Sequence, residues 1–424
     1  MSVAPASRRA ELVLARVTEA LPEMVDALAE LVRIPTVNPP GEHYEDAARA
    51  MGERCRRLGY ETQYITAEGH PDHTARYPRV NVVARLAGAS PGPCLHYNGH
   101  LDVVPPGDGW TVDPFAATVR DGKMYGRGTC DMKAGIIASI YAVEAIRRAG
   151  VVLHGAVEQS GTIDEESGGF AGVRYLAERG ILARGKQTHV VITEPLDPDR
   201  VCLGHRGVYW LDVTILGKTA HGSMPFLGDS AIDRMARFLT LLDTKLRPAL
   251  GQRRTALPVV PEGARYATIN VNALVGGQPL DAAQSPCVVD RCTAVLDRRF
   301  LPEETLSDVR AELEALLREA GARYELRERM IVHPTATVSD APIVLALSSA
   351  VSEVYARPAA LVASPGTYDQ KHFTRSGGLD DVVAYGPGRL DLAHKPDEWV
   401  ALDDLERAAQ VMALATMRLL GASG

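Results

Sequence analysis

Apolar positions along the chain follow two spacings. Residues 9–34 repeat at helical intervals, with Leu12, Leu14, Val17, Leu21, Val25, Leu28, Leu31 and Val32 apolar and Pro22 marking a kink or a split. "IPTVNPPGEH" ends that run with prolines and a glycine. "DAARAMGERCRRLGY" predicts a second helix, stopped by Gly59. "RVNVVARLAG" and "PCLHYNGH" predict consecutive strands. "MKAGIIASIYAVEAIRRAG" predicts a helix with Ile136, Ile137, Ile140 and Val143 on one face and Gly150 as its stop. "GAVEQSGTI" and "HVVITEP" predict further strands, with a helix over "GFAGVRYLAERG" between them. Strands alternating with helices predict an α/β fold, a mostly parallel sheet covered by helices on both faces.

The order changes near residue 207. "VYWLDVTILG" predicts a strand, "DSAIDRMARFLTLLDTKL" a long helix, and "YATINVNALVGG" and "CTAVLDRRFL" two strands. "ETLSDVRAELEALLREAG" then predicts a helix and "RYELRERMIV" a strand. That is a β-α-β-β-α-β order, the ferredoxin-like α+β signature. "PIVLALSSAVSEVYA", "DDVVAYGPG" and "LDDLERAAQVMALATMRLLG" return to helix, strand, helix. The expectation is an outer domain of residues 1–206 and 333–424, with residues 207–332 inserted into it. No repeat or low-complexity tract interrupts the pattern.

Composition narrows the partners. The 424 residues are 46% hydrophobic and 23% charged, ordinary for a soluble globular chain. Net charge is −7 without a block of like charge, which argues against nucleic acid. The N-terminal stretch has no continuous apolar core, so neither a secretion signal nor a membrane span is expected and the cytoplasm is the default. Six cysteines form no CxxC pair and read as small core residues in a reducing compartment.

Candidate chemistry gathers at the ends of the outer strands. In "YNGHLDVVP", His100 and Asp102 point the same way if the chain is still extended, as side chains repeat every second residue in a strand. Alone, such a pair reads as a surface contact; it also suits an imidazole ligand with a carboxylate behind it. Asp131 follows "DGKMYGRGTC", Asp164, Glu165 and Glu166 follow "EQSGTI", Glu194 follows "HVVIT", and His394 lies in "LDLAHKPDE" after "DVVAYGPG". In open α/β sheets the ligand site lies beyond the carboxyl ends of the strands. Two histidines and several carboxylates would therefore meet at one edge, a suitable ligand set for two zinc ions with a bridging carboxylate. Clustered acids without a cation would repel one another and hold their protons more tightly.

"GHLDVVP", "GRGTCDMKAG", "DEESGG", "ITEP" and "AHKPDE", in that order, resemble the motif set of the M20 metallopeptidase family, over about residues 30–420. "AHKPDE" and "YGPG" lean toward its acetylornithine deacetylase and succinyl-diaminopimelate desuccinylase-like branch. The resemblance implies a zinc-binding catalytic domain and an inserted lid through which a homodimer forms. It implies two Zn²⁺, with Co²⁺ able to substitute. His100 and Glu194 resemble the ligands of one ion, Glu166 and His394 those of the other, and Asp131 the carboxylate that bridges them. Asp102 resembles the partner behind His100, and Glu165 the general base. The division of labour between Glu165 and Glu166 comes from the family, not from spacing; Asp164 is then structural. In the lid, His221 of "GKTAHGSMP" resembles the donor that reaches the partner subunit's site. Arg299 of "LDRRF" and Asn270 of "TINVN" resemble the groups that hold the substrate's carboxylate and carbonyl.

The sequence departs from the family pattern in two places. Many relatives carry an Asn-x-Ile-Pro turn before the strand of Arg299, where this chain has "QSPCVVD". The late Gly-Thr-Asp stretch is here "PGTYDQKHF", whose Tyr368, Asp369, Lys371 and His372 either shape specificity or begin a helix. The implied activity is hydrolysis of the amide bond of an N-acyl-L-amino acid by a hydroxide bridging the two ions. A carboxypeptidase or dipeptidase acting on short peptides is the alternative within the family. A binding protein without catalysis is the alternative from another class.

Overall fold

The computed structural model describes residues 5–278 and 284–423. The chain divides into two compact units. One runs to Gly204 and resumes over Thr337–Val362 and from Tyr368; the other is His205–Ala336 with Ala363–Thr367.

The first unit opens with helix α1 (Pro5–Val32) and helix α2 (Tyr44–Arg57). Pro22 lies inside α1 without ending it. Strand β1 (Glu61–Thr66) carries no strong apolar pattern, whereas β2 (Val80–Ala87) and β3 (Cys94–His100) match the strands predicted there. Then follow helix α3 (Ala134–Arg148), β4 (Ala156–Thr162), β5 (His189–Ile192) and β6 (Arg200–His205). The predicted helix over "GFAGVRYLAERG" is regular only over Tyr175–Glu178. Gly172 breaks it at φ −92°, ψ −116°, and a Cβ there would stand 2.2 Å from the Ile163 carbonyl oxygen. Backbone contact, not helix propensity, decides that turn.

The inserted unit carries β7 (Gly207–Leu216), α4 (Ala231–Leu241), β8 (Thr268–Gly276), β9 (Arg291–Phe300), α5 (Leu306–Glu319) and β10 (Arg323–Val332). Its four strands form an antiparallel sheet in the order β8-β9-β7-β10. Met235 and Phe238 of α4 and Val309, Leu313 and Leu317 of α5 share one core with Leu211, Val213, Ala294 and Leu296 of the sheet. Each fully buried large apolar side chain there contributes about 1.5–3 kcal/mol. Ser230 and Thr305 cap the two helices by accepting from Asp233 N and Asp308 N.

The chain then returns through α6 (Pro342–Tyr355), α7 (Gln370–Arg375), β11 (Val382–Ala384) and α8 (Leu402–Leu420). The sheet of the first unit runs β1-β2-β4-β3-β5-β11-β6. Its centre is parallel, β4 with β3, β3 with β5, and β5 with β11. The flanks are antiparallel, so β2 and β3, consecutive in sequence, are separated by β4. Helix α8 packs on α3, α6 and α1. The fold is mixed α/β, and its parallel centre sends β3, β4, β5 and β11 out at one edge. Among the described residues no cysteine forms a disulfide; five are buried, and Cys287 is exposed because it lies in a loop of the inserted unit. Among the described residues no helix is long and apolar enough to cross a membrane.

Candidate metal centre

The site is built where those parallel strands stop. His100 is the last residue of β3, Glu165 and Glu166 form a short turn after β4, and Glu194 follows β5. Asp131 sits in the loop ahead of α3, behind Gly128, whose φ of +82° suits glycine. His394 lies in the loop that follows β11, at φ +64°.

These side chains meet in two sets. His100, Asp131 and Glu194 form one, and Asp131, Glu166 and His394 the other; within each set the ligand atoms lie within 4.8 Å of one another and could hold a metal ion. Asp131 belongs to both. Its Oδ1 is 3.1 Å from His100 Nε2 and its Oδ2 is 3.3 Å from His394 Nε2. Glu194 Oε1 lies 3.9 Å from His100 Nε2, and Glu166 Oε2 lies 3.0 Å from His394 Nε2. His394 is the exposed member; the others are buried or nearly so.

Electrostatics suit cations. Burial, together with Asp131, pushes Glu194 well above the usual carboxylate range, and Glu166 up to about 7. Contacts with Asp131 and Glu166 push His394 up to about 10. Burial works against a charged His100, yet Asp131, Asp102 and Glu194 raise it well above the usual imidazole value. Positive charge is thus in demand among these acids. Imidazole nitrogen and carboxylate oxygen, with one carboxylate shared, fit a pair of borderline divalent cations.

Two further carboxylates brace the donors. His100 Nδ1 is 2.9 Å from the main-chain carbonyl of Asp102, and donating to it turns Nε2 toward Asp131 and the place a cation would take. The Asp102 carboxylate is farther, 3.6 Å from Nδ1. It accepts instead from Glu165 N at 3.2 Å, Glu166 N at 3.1 Å and Asn38 Nδ2 at 2.9 Å. So the main chain of Asp102 orients the histidine, and its side chain holds the loop of the paired glutamates. Glu398, the last residue of "AHKPDE" and one to which the sequence assigns no role, does the same for Asp131. Its Oε1 accepts from Cys130 N at 2.8 Å and Asp131 N at 3.1 Å, and its Oε2 pairs with buried Arg127. Asp164 accepts from Tyr44 Oη at 2.8 Å and Arg79 Nε at 2.9 Å.

Around α7, Tyr368 is buried and donates to Gln370 Oε1, and Asp369 caps the helix without a side-chain cap bond. Lys371 Nζ lies 3.4 Å from Glu165 Oε1, and His372 Nε2 donates to the Gly168 carbonyl at 2.7 Å. His221, Asn270 and Arg299 lie in the inserted unit. His221 is exposed with Ser223 Oγ at 2.7 Å, and Asn270 Nδ2 donates to Asn272 Oδ1 at 2.6 Å. Arg299 donates to both oxygens of Asp297 at 2.8 and 3.1 Å.

Residues 96–418 match the model of peptidase family M20/M25/M40. The chain belongs to that family. This M20 protein is 29% identical over 413 residues to the succinyl-diaminopimelate desuccinylase of Thioalkalivibrio sulfidiphilus, covering 94% of this chain and 99% of the relative. It is 30% identical over 386 residues to that of Xanthobacter autotrophicus, covering 89% and 94%. Among solved structures, an M20 family metallo-carboxypeptidase of Sulfolobus solfataricus aligns with a TM-score of 0.73 at 22% identity, covering 94% of this chain and 99% of that one. A dinuclear metal binding peptidase of the M20 family from Bacillus subtilis aligns at 0.67 and 16%, covering 95% and 99%. Those likenesses carry the fold. Membership makes this chain a metal-dependent hydrolase.

Proposed function

We propose that the protein is a cytoplasmic amidohydrolase that cleaves an N-acyl-L-amino acid of the acetyl or succinyl type. The observation that carries this reading is the two-sided Asp131, one oxygen toward His100 and the other toward His394. His100 and Glu194 would hold one divalent cation, His394 and Glu166 the second, and Asp131 would bridge them; zinc is the expected metal, with cobalt a substitute. When bound, such ions lower the pKa of water toward neutrality and polarise a carbonyl. Glu165 takes a proton from the attacking water as its oxygen joins the amide carbon. Glu165 then gives that proton to the nitrogen as the carbon–nitrogen bond breaks. His221 would donate to the developing oxyanion of the partner subunit's substrate, and Arg299 and Asn270 would hold the substrate's carboxylate and carbonyl. Exposed Phe226, Leu227, Leu274 and Val275 support a homodimer built on the inserted unit.

Relatives named as desuccinylases favour the acyl-amino-acid reading. The experiment is a panel of N-acetyl, N-succinyl and N-formyl amino acids and dipeptides, run with the zinc-loaded protein and its Glu165→Gln variant. Glu165→Gln should keep both metals and lose about 10²–10⁴-fold in kcat. Faster turnover of dipeptides than of any acyl amino acid would transfer the activity to the peptidase reading. No turnover by a metal-loaded protein would leave a binding role.

A further inference from the structure

The two adjacent glutamates differ in what their carboxylates meet. Glu166 reaches His394, with Oε2 at 3.0 Å from Nε2. Glu165 turns the other way, toward Lys371, with Oε1 at 3.4 Å from Nζ. Among the described residues Lys371 is the side chain that donates to the Glu165 carboxylate. The contact is sheltered, with Lys371 5% and Glu165 11% exposed at the side chain.

Helix α7 is fixed to the Glu165 turn at several points. His372 donates to the Gly168 carbonyl, and the His372 ring packs 5.7 Å from that of Phe170. A Cβ on Gly169 would stand 2.2 Å from Asp369 Oδ1, so only glycine lets the two segments approach this closely. Asp369 is buried, and neither of its carboxylate oxygens has a hydrogen-bond partner among the described residues. Burial pushes the Asp369 carboxyl up, and the ammonium of Lys371, two residues on, works against that rise. The ammonium's contact with the Glu165 carboxylate offsets the cost of burying it.

A glutamate has three rotatable side-chain bonds, and a free carboxylate beside a divalent cation will turn to ligate it. The main chain of Glu165 is fixed by Asp102, but that does not fix the carboxylate. We infer that Lys371 is a positioning residue for Glu165: its ammonium holds that carboxylate off the metal pair, so that Glu166 ligates while Glu165 stays free to carry the proton. The inference rests on the proposed reading of Glu165 as base, and it supplies the physical difference between two neighbours of identical chemistry.

The test compares Lys371→Met, Lys371→Arg, Glu165→Gln and the double variant Lys371→Met/Glu165→Gln in the zinc- and cobalt-loaded protein. Lys371→Met should bind two metals, lose about 10²-fold in kcat and shift KM little, because the base is misplaced while the groups that hold the substrate stay as they were. In its cobalt form the visible absorption should change as Glu165 enters the coordination sphere, and adding Glu165→Gln should restore the parent spectrum. Lys371→Arg should keep the parent spectrum and most of the turnover. An unaltered cobalt spectrum with near-parent kcat in Lys371→Met overturns the inference, as does loss of metal or equal damage from Met and Arg, which would mark Lys371 as structural. Turnover surviving in Glu165→Gln alone would instead overturn the general-base reading, so the two failures are separate.

Discussion

Glu398 offers the sharpest test of how the site is held. It touches no candidate substrate position, yet its Oε1 accepts the N–H groups of both Cys130 and Asp131. Its other oxygen pairs with Arg127, and both side chains are about 1% exposed or less. Glu398→Gln keeps a carbonyl oxygen for the two N–H groups but sets an amide donor against a buried guanidinium. Removing one partner of a buried ion pair costs about 3–5 kcal/mol, most of it from the stranded charge. Glu398→Ala adds two orphaned buried N–H groups at about 1–3 kcal/mol each. Either change frees the loop that aims Asp131, and removing a group that orients a metal ligand weakens metal binding about 10–100-fold. Calorimetric melting of the metal-free variants measures the first quantity, and competition for Zn²⁺ with a chromophoric chelator at fixed pH measures the second. The expected order is wild type, then Gln, then Ala, in both. Unchanged zinc affinity in Glu398→Ala, with melting lowered, would show that the 130–131 loop keeps its aim unaided and would refute the bracing argument.

Two further outcomes follow from the charges. Stripping the protein with a chelator should abolish hydrolysis and lower its melting temperature, and free zinc at 100 times its Kd should restore about 2.7 kcal/mol per site; hydrolysis that survives the chelator would sink the metal reading. Away from the site, burial alone would raise the Glu158 carboxyl, but His96, Gln187 and Arg85 pull it down to about 2 from the ordinary 4.5. A lowered carboxyl stabilises the fold above pH 4.5 and loses that effect as pH falls toward 2, an effect of about 3 kcal/mol. Glu158→Gln should therefore melt well below wild type at pH 7 and approach it on acidification; a gap constant from pH 7 to pH 3 contradicts this.

Much of the architecture is legible because local pattern and tertiary packing agree. Helix α3 is buried almost throughout, so its apolar run could hardly be anything else. The six elements of the inserted unit follow alternating or helical spacing, and their buried positions share one core. Where pattern and structure part, the deciding contact is remote in sequence. Strand β1 is only partly buried, so "ETQYIT" carries no strong apolar signal. The segment around Gly172 has good helix formers, but the Ile163 carbonyl occupies the space a regular turn would use. The place of β4 between β2 and β3 is a matter of sheet order, which no local spacing encodes.

The candidate site shows the same division more sharply. His100, Glu166, Glu194 and His394 can be expected together because each follows a strand of the parallel centre, which gathers such ends at one edge. Asp131 instead follows Lys123–Tyr125, a strand of a separate three-stranded antiparallel sheet, so its arrival there is not explained by that rule. Their supports cannot be expected in that way. Asp102 sits close to a histidine in sequence, which invites a side-chain pair, yet its carboxylate is spent on the main chain of residues 165 and 166. Glu398 lies four residues past His394 and serves a loop more than 260 positions earlier. In both cases an acid bonds to backbone N–H groups, which every residue but proline presents, so no side-chain partner marks the pairing in the sequence. The motif residues tell which atoms could meet a cation; these backbone bonds determine how firmly the atoms are held. Substitutions at Asp102 or Glu398 should therefore act on metal affinity and loop order together, whereas Glu165→Gln should leave both and remove only the chemistry.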